Sequence, residues 1–124
     1  MNVVDSCGWL EYFADEPNAD FFAPPIKDRR KLLVPTICLL EVFKRVLQQR
    51  DENAALQAMA AMYQGIVVDL DASLAITSAK ISAETNLPPA DSVVLAAARS
   101  NNATLWTQDA DFNNIPGVKY KKKA

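Results

Sequence analysis

Five short apolar runs alternate with longer stretches of helical spacing: Asn2–Asp5, Leu32–Val34, Ile66–Leu70, Ala103–Thr107 and Val118–Tyr120. Runs this short, rich in Val, Ile and Leu, read as strands. Strands separated by helices cannot close as hairpins and need crossover connections. The chain therefore belongs to the α/β class, with a mostly parallel sheet of four to five apolar strands and helices on both faces. Sheets of this kind bind ligands beyond the carboxyl ends of their strands. Asp5 and Asp109 each follow such a strand, which predicts that both lie on one rim.

Helical spacing and caps predict the rest. A helix starts at about Gly8, with Ser6 as candidate cap, and a short one over Asn18–Phe22 is ended by Pro24-Pro25. Further helices are expected over Ile37–Gln49 behind Thr36, over Ala54–Tyr63, from Asp71 to about Thr85, and over Ser92–Ser100 behind Asp91. Lys27–Lys31 reads as an exposed connector. With 124 residues, half of them apolar, the chain is long enough for one domain with a real core. That domain is expected over residues 1–120, with 121–124 a basic tail that frays.

Several chemistries are excluded by composition. There is no histidine, which removes Ser-His-Asp, Cys-His and paired-histidine catalysis. Two cysteines without histidine do not make a structural zinc site. Cys7 and Cys38 sit in apolar stretches and read as core thiols of a cytoplasmic protein. No secretory leader is visible, and no apolar run approaches the ~18 residues a membrane span needs. The net charge of −2 hides a basic end made by Lys119 and Lys121–Lys123. A nucleic-acid partner is thus hinted at by local patches rather than overall charge.

The acids carry the functional signal. Asp5 alone fits either a helix cap or a ligand position. Glu41 sits mid-helix between Leu40 and Val42-Phe43, where a carboxylate must pair, neutralise or bind a cation. Lys44 and Arg45 are its local salt-bridge alternatives. Asp91 fits a cap behind Pro88-Pro89-Ala90, and Asp109 and Asp111 fit a turn. Four carboxylates converging within a few ångströms would repel one another by several kcal/mol. A divalent cation removes that repulsion, and an all-oxygen donor set suits Mg²⁺ or Mn²⁺ and phosphoryl chemistry.

Four pieces then resemble one family in order and spacing: Val3-Val4-Asp5-Ser6 with Trp9-Leu10, Leu40-Glu41-Val42, Pro89-Ala90-Asp91-Ser92, and Thr107-Gln108-Asp109-Ala110-Asp111-Phe112. The chain resembles the PIN domain, and within it the VapC-type toxins of toxin–antitoxin pairs, over about Asn2 to Tyr120. The resemblance implies a metal-dependent endoribonuclease, a homodimer and a small cognate antitoxin. It puts the family's acids on Asp5, Glu41, Asp91 and Asp109, with Asp111, Ser6 and Thr107 in support. Asp5, Asp91 and Asp109 would hold Mg²⁺ or Mn²⁺, and Glu41 would be either a further ligand or the group that orients the attacking water.

Lys44, Arg45 and Arg99 are candidate RNA phosphate contacts, against ordinary solvated surface. Trp9, Tyr12 and Phe13 fit a stacking surface, an antitoxin groove or simply core. Two rival enzymes fit worse. A dehalogenase-like phosphatase needs an acid two residues after Asp5, where Cys7 stands. A receiver domain needs an acid pair at the first strand, where Val3-Val4 precede Asp5. The non-enzymatic rival is a degenerate PIN module that binds RNA or protein without catalysis. It would be favoured by loss of one of the four acids, and all four are present.

Overall fold

A computed structural model describes residues 1–124. Its strands are β1 (Asn2–Val4), β2 (Leu32–Pro35), β3 (Ile66–Val68), β4 (Thr104–Thr107) and β5 (Val118–Tyr120). Its helices are α1 (Ser6–Phe13), α2 (Ala19–Lys27), α3 (Thr36–Gln49), α4 (Glu52–Met62), α5 (Ala72–Thr85) and α6 (Pro89–Ser100). Short 3-10 turns follow at Arg29–Lys31 and Ala110–Phe112. No helix is long and apolar enough to cross a membrane.

All five strands form one sheet in the order β3-β2-β1-β4-β5. Every pairing is parallel, not merely most. Val3 and Val4 point to opposite faces of β1, and both are fully buried, so helices cover both sides of the centre. The chain builds outward from β1 through β2 to β3, then crosses back to lay β4 against β1. The strand order therefore reverses between β1 and β4, and a crevice opens at that switch point. Val4 lies opposite Trp106, so Asp5 and Thr107 leave their strands side by side. The Asp5 N–H donates to the Trp106 carbonyl at 3.0 Å and locks that register.

Against the sheet centre packs α6, whose Val93–Ala98 are all buried. Its alanines let the helix axis come close to the strands. Gly8 lets α1 come close to both α2 and β1, where Val4 would stand 2.8 Å from an added Cβ. A Cβ there would stand 2.6 Å from the Phe22 ring.

Several local expectations are corrected. The α2 helix does not stop at Pro24-Pro25 but runs through both to Lys27. A proline inside a helix costs about 3 kcal/mol. Phe22, Pro25 and Ile26 are buried by this helix, and at roughly 1.5–3 kcal/mol for a large side chain their burial offsets the loss. Asp5, not Ser6, caps α1. Thr36 caps nothing; its Oγ1 accepts from Leu70 N–H at 3.2 Å, beyond β3. The α6 helix begins at Pro89, whose fixed φ and missing N–H suit a first helical position. The third strand is apolar but not buried: Ile66 is 47% and Val67 38% exposed on an edge. Residues 121 and 122 each make a backbone hydrogen bond to the rest of the fold. Lys121 N–H donates to the Thr107 carbonyl, and the Asn18 side chain donates to the Lys122 carbonyl, each at 3.0 Å.

Candidate active site

Asp5 emerges from β1 in extended conformation and starts α1. Its Oδ1 accepts from Ser6 N–H at 2.8 Å. Its Oδ2 accepts from Thr107 Oγ1 at 3.0 Å and from the Cys7 thiol at 3.5 Å. Cap and cluster member are thus not rival roles for this residue, because each carboxylate oxygen serves one. Burial pushes the Asp5 carboxyl up to about 6, against the hydrogen bonds from Thr107, Ser6 and Cys7. The nearby Glu41 charge adds to the rise.

Thr107 is fully buried and joins two acids. While its hydroxyl donates to Asp5, it accepts from Asp109 N–H at 3.0 Å. Asp109 in turn caps the 3-10 turn, accepting from Asp111 N–H at 2.9 Å. Asp111 itself is exposed.

Asp91 stands in the first turn of α6, two residues inside the helix start, so it is not the helix cap. Burial raises its carboxyl to about 7, followed by repulsion from Asp5, Asp109, Glu41 and Asp111. Asp5, Asp91 and Asp109 come from three separate segments. Each offers a carboxylate oxygen, and these oxygens lie within 4.8 Å of one another.

Glu41 stands one turn into α3 and is partly buried rather than dry. Its hydrogen-bond partner is Ser6, whose Oγ donates to Oε1 at 2.8 Å, rather than Lys44 or Arg45. Ser6 therefore holds two acids, Asp5 through its N–H and Glu41 through its O–H. Glu41 adjoins the three aspartates without belonging to their close set.

The basic candidates separate. Lys44 lines an apolar groove between α3 and α4. Arg99 is in the last turn of α6, about 12 Å along the axis from Asp91. Arg45 lines a polar cleft together with Cys7 and Gln108, next to the acids. The aromatics separate too. Trp9 is 1% exposed and is core, with its indole N–H left without a partner. Tyr12 and Phe13 pack against the same core.

Sequence reasoning missed four participants. Cys7 is no core thiol: it is half-buried, 3.5 Å from both Asp5 Oδ2 and Thr107 Oγ1. Burial and the Asp5 charge push its thiol up to about 12, so it stays protonated and donates. Cys38 is the thiol that is buried. The other three, Glu11, Asn18 and Gln108, form a closed buried ring. Asn18 N–H donates to Glu11 Oε2 at 2.9 Å, Gln108 Nε2 to Glu11 Oε1 at 3.0 Å, and Asn18 Nδ2 to Gln108 Oε1 at 3.0 Å. A signal existed for Glu11, an acid between Leu10 and Tyr12, as isolated among apolar neighbours as Glu41.

Comparisons with known proteins agree with this layout. No curated protein matches the sequence. Among solved structures, a chain of a toxin–antitoxin complex from Klebsiella pneumoniae superposes with a TM-score of 0.85 at 19% identity, covering 100% of both chains. VapBC2 from Rickettsia felis, bound to promoter DNA, gives 0.74 at 15% identity, covering 98% of this chain and 97% of that one. VapC20 from Mycobacterium tuberculosis, a sarcin–ricin loop cleaving toxin, gives 0.76 at 15%, covering 94% and 95%. At such identities the likeness carries the fold. The family model for the PIN domain matches residues 3–118, from the strand that delivers Asp5 to the start of the last strand. With nearly its whole length matched, the chain belongs to the PIN domain family.

Proposed function

We propose that this chain is the toxin of a toxin–antitoxin pair, an endoribonuclease that hydrolyses RNA phosphodiester bonds with Mg²⁺ or Mn²⁺ and inhibits growth when free of antitoxin. The observation that carries the reading is the convergence of Asp5, Asp91 and Asp109 within 4.8 Å, where the charges acting on Asp91 are other carboxylates. Such a set fits a hard divalent cation: its donors are oxygens, and two of the three are driven toward protonation in its absence.

In the proposed mechanism, Asp5, Asp91 and Asp109 hold the cation. When bound, it would supply charge stabilisation at the phosphate and a lowered pKa for the attacking water. Thr107 fixes the Asp5 oxygen and the Asp109 backbone together. Ser6 fixes Glu41 through one oxygen, which leaves the other to orient the water for in-line attack. Asp111 closes the turn that aims Asp109.

The similar fold of the Klebsiella and Rickettsia toxin–antitoxin complexes and of the Mycobacterium toxin supports the toxin reading and an antitoxin partner. A homodimer is supported by exposed apolar side chains on α3, on α4 and just after it: Leu40 is 60%, Leu56 54% and Tyr63 59% exposed. The reading places the protein in the cytoplasm. A degenerate PIN module that binds without cleaving is the alternative, and the presence of all four acids weighs against it.

The test is cleavage of a labelled RNA by the purified chain. Cleavage should require Mg²⁺ or Mn²⁺ and vanish in Asp5→Asn and in Asp91→Asn. Cleavage that survives chelation, or survives both substitutions, removes the proposed site.

A further inference from the structure

Between α1 and α3, beside the acids, runs a cleft of about 300 Å³. Among its walls are Cys7 and Leu10 on α1, Arg45 and Gln49 on α3, Gln108 after β4, and Lys123. Cys7 connects it to the acid cluster, through its contacts at 3.5 Å with Asp5 and Thr107. Arg45 lies one helical turn beyond Glu41 on the same face of α3. Two cations, Arg45 and Lys123, thus line a polar cleft beside the acid cluster, together with the acids Glu11 and Glu16.

Lys123 is not there by accident of a loose chain. The buried Asn18 side chain donates to the Lys122 carbonyl at 3.0 Å, and to Gln108 Oε1 at the same distance. Gln108 closes the ring on Glu11. Lys121 is tied to Thr107 by its backbone, and its ammonium lies 5.8 Å from the centre of the Phe21 ring. Glu11 has both oxygens engaged inside the ring and attracts the Lys123 charge toward the cleft. Glu16 is a second acid on the wall and is exposed.

An acid cluster repels a polyanion, so an RNA strand must be drawn in by cations nearby. Grooves for single strands combine a positively charged track with local contacts. We propose that this cleft is a phosphate subsite for the RNA strand, in which Arg45 and Lys123 grip backbone phosphates flanking the scissile bond. The proposal rests on the nuclease reading above. It assigns the basic tail to substrate binding and sets Lys44 and Arg99 aside. A polar lining favours RNA over an apolar protein helix as occupant.

The test is steady-state cleavage of a labelled single-stranded RNA by the full chain with Mg²⁺ or Mn²⁺. Arg45→Ala and Lys123→Ala should each raise KM roughly 3- to 10-fold with kcat within about twofold. Lys123→Glu should raise KM further. The salt dependence of KM should become shallower in each variant, which a merely structural role would not produce. Lys44→Ala and Arg99→Ala should change neither constant. A parent that cleaves RNA, together with unmoved KM in Arg45→Ala and Lys123→Glu, overturns the subsite and leaves the nuclease intact. A parent that cleaves no RNA with either metal overturns the nuclease reading itself, and the subsite with it.

Discussion

Asp5 and Glu11 are two carboxylates near the two ends of one short helix, each 4% exposed, and the protein treats them in opposite ways. Burial raises Asp5 to about 6, and a nearby acid, Glu41, pushes it further. Burial also pushes Glu11 up, but Gln108, Asn18 and Lys123 together outweigh it and hold the carboxyl below its ordinary range. Equal exposure therefore does not mean equal desolvation: Asp5 lies deep at the sheet end and Glu11 close beneath the surface. What decides the charge is how burial weighs against the partners: at Asp5 it exceeds the donors Thr107, Ser6 and Cys7, with Glu41 a smaller addition, whereas at Glu11 two donors and the Lys123 charge exceed it. Glu11 is satisfied and ties segments together. Asp5 keeps a raised carboxyl in spite of three donors and stands within 4.8 Å of two further acids, as the proposed cation site requires.

The largest contrast lies in activity. Asp91→Asn should lower RNA cleavage more than 100-fold, whereas Glu11→Gln should retain most kcat per folded molecule. Equal losses in the two, measured on folded protein, would merge the two regions into one site.

Stability should move the other way. Glu11→Ala strands two buried donors, Asn18 N–H and Gln108 Nε2, and should cost about 2–4 kcal/mol by denaturant unfolding. Asp91→Asn in metal-free protein should be neutral or stabilising at pH 8, because it removes a repelled charge. A destabilised Asp91→Asn would mean that the cluster is held by pairing rather than strained by repulsion.

The pH dependence of metal-free protein follows with its sign. Asp5 and Asp91 have folded values of about 6 and 7, above the ordinary 3.8. A raised folded value favours the protonated fold, so this contribution is complete below about pH 4 and lost as pH climbs through 6 and 7. Asp5 alone corresponds to about 2–3 kcal/mol. Glu11 runs oppositely: its contribution is present above its ordinary value and lost as pH falls. Thermal melts should therefore show stability declining between about pH 4 and pH 7 without metal, and Mg²⁺ or Mn²⁺ should restore it at pH 8. A melt that rises steadily over this range would contradict the Asp5 and Asp91 environments.

The smallest expected change is Cys7→Ala. It deletes one weak donor to Asp5 and should raise that carboxyl slightly, at a cost below about 1 kcal/mol. Carbon-detected titration of Asp5 would register the shift.

Much of this molecule was legible residue by residue. Apolar runs placed all five strands to within two residues; in β1 and β2 burial on both faces leaves an unbroken apolar signature. The same patterning put Asp5 and Asp109 at strand ends, and their shared rim follows from parallel order alone. Asp91 and Glu41 were visible as acids in apolar helices. Less legible were the prolines of α2, whose local cost is offset by Phe22 and Ile26 finding a core. The exposed third strand was also hidden, since an apolar run does not say whether anything covers it.

Only the tertiary structure decided which acids are answered and which are not. Spacing along the chain shows that a carboxylate exists at position 5 or 11. It does not show that residue 11 meets Gln108, 97 positions away, or that residue 5 meets Thr107, 102 positions away. Local patterns record which face of an element is dry. The state of a charge depends on partners within a few ångströms, and those partners are chosen by how the elements pack.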